Sequence, residues 1–233
     1  MPEDLLLLPG LLLDERLWSS QVAGLEEQAR IAIPDLTLDD SLEAMAARTL
    51  AAAPPQFALA GLSMGGYVAL EILRQAPERV TRLALLDSQA GPDSPETAAR
   101  RRGLLELADK GRFRGVTEQL LPLILHPDHL EDGALTGLVM EMAEGVGREG
   151  FKRQQTAILH RRDYRPLLAS ILQPTLVLYG EADALTPPAL HRDMAIAIQT
   201  ATLVRIEQAG HLPPLEQPEA TTAALGQWLR RQA

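Results

Sequence analysis

An α/β fold, with a mainly parallel sheet of about six strands flanked by helices, is what this sequence predicts. Three observations carry that prediction. Short apolar runs alternate with helix-forming stretches along most of the chain, the pattern of strands joined by helical crossovers. One strand-to-helix junction holds Gly61-Leu62-Ser63-Met64-Gly65, a tight turn built from small residues. A single stretch, 94–165, carries helix-forming runs and no strand pattern, far more chain than one crossover requires.

In chain order, the apolar runs that read as strands are 5–8, 29–33, 56–62, 80–87, 175–180 and 201–207. Helical patterns fall at 42–53, 66–75, 188–198 and 218–231. The crossovers are long enough for right-handed strand–helix–strand units. Within 94–165 the helix-forming runs are 97–110, 116–124, 130–143 and 149–160, punctuated by Gly111, Gly115, Pro122, Pro127, Gly145 and Gly147. The expected organisation is a core of residues 1–93 and 166–233, with 94–165 inserted as a helical cap.

Composition narrows the function classes. The 233-residue chain is 46% hydrophobic and carries a net charge of −9, a balance opposed to nucleic-acid binding because phosphate backbones select positive patches. The triplet Arg100-Arg101-Arg102 reads as a solvated helix face. There is no cysteine, which excludes disulfides, thiolate metal sites and cysteine nucleophiles. No run reaches the ~18 uninterrupted apolar residues of a membrane span. The opening Met1-Pro2-Glu3-Asp4 is acidic where a secretory signal is basic, and Pro9-Gly10 interrupts the leucine run behind it, so a cytoplasmic protein is expected. The histidines and acids lack paired metal-ligand spacing, and no glycine-rich phosphate loop with its lysine is present; neither metal nor cofactor is expected.

Ser63 is the candidate nucleophile. The run Phe57-Ala58-Leu59-Ala60 leads into it as a strand and Tyr67 to Gln75 leads out as a helix. A serine pinned on such a turn is held in a strained conformation that throws its hydroxyl clear of the sheet. Strand and helix approach closely there, which calls for Gly61, Gly65 and Gly66. The Met64 backbone N–H, at the helix N-terminus, is aimed where an oxyanion would form.

With this turn, the alternating pattern and the helical insertion, the chain resembles the α/β-hydrolase superfamily, in particular its small, capped, single-domain esterase and lactonase-like members. The resemblance spans nearly the whole chain, and begins at what would be the family's third strand, so a sheet without the antiparallel N-terminal hairpin is expected. It implies an acid on the loop after the penultimate strand, where Gly180-Glu181-Ala182-Asp183-Ala184-Leu185-Thr186-Pro187 matches the family's G-x-x-D-x-x-x-P and assigns Asp183. Glu181 is a neighbouring rival, and Asp87, at the end of the strand before the insertion, a more serious one. It also implies a histidine after the last strand, matched by Gly210-His211-Leu212-Pro213-Pro214-Leu215-Glu216-Gln217-Pro218-Glu219. Chain order is then Ser63, Asp183, His211, the order of this superfamily. The other four histidines, His126, His129, His160 and His191, are expected in surface or structural roles, with those of the cap able to touch substrate. A second oxyanion donor is implied after the first strand, in Leu8-Pro9-Gly10-Leu11-Leu12, where Pro9 replaces the family's usual histidine and Leu11 offers its N–H.

The resemblance implies acyl transfer through Ser63 on a small carboxylic ester, without cofactor, nucleic acid or membrane. Leu11, Leu12, Met64, Leu212, Leu121 and Met140 are candidates for an apolar pocket, and Trp18 either walls the site or is buried beneath the first helix. The alternative is carbon–carbon or enol-lactone hydrolysis of a cyclic or aromatic catabolite, for which Arg161, Arg162 or Arg165 would anchor a substrate carboxylate. A purely binding, receptor-like protein is the reading from outside enzymology.

Overall fold

A computed structural model describes residues 2–231 apart from 112, 116 and 117. The chain runs β1 (Glu3–Leu8), α1 (Ser19–Leu25), β2 (Ala29–Ala32), α2 (Leu42–Ala52), β3 (Phe57–Leu62), α3 (Met64–Gln75) and β4 (Val80–Leu86). It continues through α4 (Pro95–Asp109), α5 (Leu121–Ile124), α6 (Gly133–Leu159) and α7 (Arg165–Leu168). It ends with β5 (Thr175–Gly180), α8 (Pro188–Ala197), β6 (Ala201–Ile206), α9 (Pro213–Glu216) and α10 (Pro218–Leu229). The six strands form one sheet in the order β2-β1-β3-β4-β5-β6, and every pairing is parallel. The predicted fold class is borne out, with strand limits shifted by one or two residues.

Strand side chains alternate between two apolar layers, as the period of two dictates. Leu5, Leu7, Ala58, Ala60, Leu62, Leu176 and Leu178 face one layer, which Leu25, Leu225 and Trp228 complete from α1 and α10. Leu6, Leu8, Leu59, Leu83, Leu85 and Val177 face the other, against α2, α3 and Met194 of α8. β3 and β5 are buried at every position, which is why they read in sequence as unbroken apolar runs.

The strand order turns back between β1 and β3. α/β sheets bind ligands beyond the carboxyl ends of strands at such a switch point. Gly65 presses α3 against the end of β1 there: a Cβ on it would overlap the Leu8 and Pro9 carbonyls.

Among the described residues, 94–165 contains helices and no strand. Two details differ from expectation. The run 116–124 is helical only over Leu121–Ile124, with Val116 and Thr117 outside the described residues. The runs 130–143 and 149–160 belong to a single helix, α6, broken at Gly147 (φ 67°, ψ −178°). α6 starts at Gly133 and not at Leu130, because Asp132 caps it by accepting from the Ala134 and Leu135 N–H groups (3.0 and 3.1 Å). Residues of this stretch, among them Ala108, Leu121, Leu125, Met142 and Phe151, are buried in one cluster with Leu12, Leu13 and Leu212. A buried ion pair between Asp93 and Arg161 (2.8 Å) ties its two ends together, and the Arg161 guanidinium lies over the Tyr67 ring (4.6 Å to the centroid). No helix among the described residues is long and apolar enough to cross a membrane.

Candidate active site

Four non-glycine residues have left-handed φ among those described, and all four lie beyond the carboxyl ends of strands: Leu12 (61°), Ser63 (54°), Asp87 (42°) and Gln208 (52°). Such conformations cost about 1–3 kcal/mol each and persist only where the surroundings over-determine them. Ser63 follows β3 and precedes α3, as its sequence context requires. A Cβ on Gly61 would overlap the Gly65 backbone, and one on Gly66 would overlap the Ser88 side chain. Ser88 Oγ donates to the Ser63 carbonyl (2.9 Å), fixing the turn from the neighbouring strand end.

The loops after β5 and β6 bring Asp183 and His211 together: His211 Nδ1 lies 2.9 Å from Asp183 Oδ2. Of the three candidate acids, Asp183 holds this position. Its Oδ1 accepts from the Leu185 and Thr186 N–H groups (2.8 and 3.0 Å), and its Oδ2 also accepts from the Thr186 hydroxyl. Burial raises its pKa, but the His211 charge and hydrogen bond and the Thr186 donors outweigh that and hold the carboxyl well below the usual carboxylate range. With Nδ1–H directed at Asp183, the His211 ring presents Nε2 as an acceptor. Among the described residues Ser63 Oγ has no hydrogen bond to His211; such contacts commonly tighten only with substrate in place.

Asp87 is fully buried, and its Oδ1 accepts the Gly180 N–H (2.8 Å). Burial first, then the Asp183 charge, push its pKa well up, favouring the neutral acid. Glu181 turns away and accepts the Gln208 N–H (2.8 Å). His191, expected in a surface or structural role, is completely buried behind the site, stacked on Tyr179 and accepting the Ser88 N–H at Nε2 (3.1 Å). Burial pulls its pKa down to about 4, so it is a neutral acceptor. Asp87, Asp183 and His191 bring ligand-type atoms within 4.8 Å of one another, a grouping that spacing in the sequence did not reveal. Asp183 Oδ2 is engaged by His211 and His191 Nε2 by Ser88, whereas Asp87 Oδ2 and His191 Nδ1 have no hydrogen-bond partner among the described residues.

The two expected oxyanion donors start at the proper strand ends. Met64 opens α3, and Leu11 follows Gly10, where a Cβ would crowd the Leu13 and Leu62 side chains. Neither N–H has a backbone acceptor among the described residues. Leu12, Leu121 and Leu212 share one apolar cluster beside these loops, with Leu11 packed against it. Met140 lines a cleft at the Gly147 break with Phe113, Arg114, Glu144 and Arg148. Trp18 is fully buried, in the same apolar cluster as Leu12, Leu121 and Leu212.

The His211 loop is clamped from within the protein. The buried Glu216 carboxylate accepts from the Gly210 and Leu212 N–H groups (2.9 and 3.0 Å) on either side of His211, and from the His126 N–H (2.6 Å). His211 N–H itself donates to the Ile124 carbonyl (2.7 Å). Glu216→Ala strands three N–H groups at about 1–3 kcal/mol each when buried. It is expected to lower stability by about 3 kcal/mol or more, measured by urea denaturation, and to reduce kcat even where folding is complete.

Residues 5–225 match the model of the Alpha/beta hydrolase family. The chain belongs to that family. This hydrolase is 27% identical to the pimeloyl-[acyl-carrier protein] methyl ester esterase of Aromatoleum aromaticum, over 93% of its own length and 94% of the relative's. Among solved structures it resembles a thermophilic esterase from Thermogutta terrifontis, with 33% identity, a TM-score of 0.90, and 99% and 90% of the two chains covered. The enol-lactonase from Burkholderia xenovorans LB400 is 25% identical, with a TM-score of 0.81 and 99% and 93% covered. The sequence expectation of a hydrolase of this superfamily is borne out.

Proposed function

We propose that this hydrolase cleaves small carboxylic esters through an acyl-enzyme on Ser63, with His211 as general base and acid and Asp183 as its orienting partner. The observation that carries the reading is the 2.9 Å bond from His211 to Asp183, on the same sheet edge as a serine at φ 54°. Ester hydrolysis is the reaction named for the Aromatoleum relative and for the Thermogutta neighbour.

Ser63 Oγ attacks the ester carbonyl carbon while His211 Nε2 takes its proton. The carbonyl oxygen becomes an oxyanion that accepts from the Leu11 and Met64 N–H groups. As the tetrahedral intermediate collapses, the carbon–oxygen bond to the alcohol breaks and His211 returns the proton to it. Water then attacks the acyl-enzyme by the same route and releases the acid. Asp183 remains ionised throughout and stabilises the imidazolium. Residues 94–165 act as a cap, and the apolar cluster they share with Leu12 and Leu212 favours small acyl groups over polymers.

Lactone opening is the second reading, favoured by likeness to the enol-lactonase. The anchoring arginines that would strengthen it are engaged elsewhere: Arg161 with Asp93, Arg162 with Glu43 and Arg165 with Asp163.

The test is intact-protein mass spectrometry after treatment with a fluorophosphonate, which reacts only with an activated serine. One adduct on the wild type and none on Ser63→Ala is the expected result. An unlabelled, folded wild type would overturn the reading and favour a receptor.

A further inference from the structure

We propose that Gln154, on the inserted helix α6, is a positioning residue that holds the oxyanion loop after β1 in its working form, a role that rests on the reading of Leu11 as an oxyanion donor. Leu13 N–H donates to the Gly10 carbonyl (3.3 Å), closing a four-residue turn with Leu12 third. Leu12 alone in that turn has a left-handed φ, 61°. That is the signature of a type II turn, whose third position glycine or asparagine ordinarily fills. A leucine there is strained, and a type I turn, with the central peptide flipped, is its unstrained alternative.

Gln154 opposes that flip. Its side-chain carbonyl accepts the Leu12 N–H (3.0 Å), the N–H of the central peptide, and its amide donates to the Leu36 carbonyl (3.3 Å). Gln154 is completely buried and Leu12 nearly so, so a flipped peptide would leave this carbonyl without its partner. The helix that carries Gln154 is itself docked, with Arg153 Nε donating to the Thr37 carbonyl (2.6 Å). The Leu11 N–H belongs to the peptide immediately upstream of the one that Gln154 grips. The cap thus sets the bearing of an oxyanion donor as well as covering the pocket.

The experiment is a double-mutant cycle between Gln154→Met and Leu12→Gly, read by steady-state kinetics on an activated short-chain ester well below each variant's melting temperature. Gln154→Met keeps the length of the side chain and removes the acceptor. It is expected to lower kcat about tenfold to a hundredfold with KM within about threefold, the scale of a displaced oxyanion donor. Glycine adopts a positive φ without strain, so in the Leu12→Gly background the same substitution should cost kcat less than about threefold. An unchanged kcat, a loss confined to KM, or an equal loss in both backgrounds overturns the proposal. Should Gln154→Met not fold, Gln154→Leu, which also removes the acceptor, takes its place in the cycle and is judged by the same outcomes. Fluorophosphonate labelling of wild-type Ser63 separates the two readings. An unlabelled wild type defeats the acyl-enzyme, whereas a labelled one with insensitive Gln154 variants defeats only the positioning role.

Discussion

Ser63→Ala is expected to abolish turnover of activated esters, with kcat/KM falling on the order of 10⁵-fold or more while the far-ultraviolet circular dichroism stays that of the wild type. In the proposed mechanism, removing the hydroxyl takes away the atom that would bond covalently to the acyl carbon. Binding and the oxyanion donors can then supply no more than the ~10³–10⁴-fold advantage over water left to such a site. Activity retained within tenfold would relocate the chemistry. The same position carries a second, opposite expectation for stability. At φ 54° and ψ −113° any residue with a Cβ is strained. Ser63→Gly removes about 1–3 kcal/mol of strain and adds back about 0.5–1 kcal/mol of unfolded-chain entropy. The inactive glycine variant should therefore be more stable than the wild type by about 1 kcal/mol in urea denaturation. A glycine variant less stable than the alanine one would mean that the turn is relaxed.

That strain is the physical reason why Ser63 was legible in the sequence. A turn pressed this closely against β1 admits only small residues around it, and Gly61, Gly65 and Gly66 leave a local signature. The inner strands β3 and β5 were legible for a related reason: parallel strands buried on both faces read as unbroken apolar runs. Asp183 and His211 were legible through the motifs around them, each being local to one loop.

What could not be read is what connects loops distant in sequence. Gln154 meets Leu12 across 142 positions and His191 meets Ser88 across 103, and neither contact leaves a local trace. The continuity of α6 was hidden because a break at one glycine is indistinguishable, in sequence, from the end of a helix. Glu216 lay in a stretch already marked as matching the family, but its grip on the Gly210 and Leu212 N–H groups appears only when α9 folds it back.

Asp183→Asn is expected to lower kcat by about 10³–10⁴-fold, whereas Asp87→Asn should leave it within a few-fold of the wild type. The asymmetry follows from which lone pairs each carboxyl supplies. In Asp183→Asn the new amide would keep its oxygen toward the Leu185 and Thr186 N–H groups, leaving its NH₂ to face His211 Nδ1. An amide donor there forces the ring proton onto Nε2, the atom that must accept from Ser63. Asp87 has its oxygen on the Gly180 N–H and favours the protonated form, so an amide reproduces both its acceptor and its donor. The two carboxyls should also separate by pH. The depressed pKa of Asp183 contributes stability present above its unfolded value, about 3.9, and lost as pH falls below it. The raised pKa of Asp87 works the other way: its contribution is whole below about 3.9 and is lost as pH rises toward its folded value. Asp87→Asn, which cannot ionise, should thus gain melting temperature over the wild type progressively as pH rises above about 4, with the difference vanishing in acid. A gain that grew toward low pH would mean that Asp87 is the ionised member of the pair, and the kinetic ranking of the two asparagine variants would then have to reverse as well.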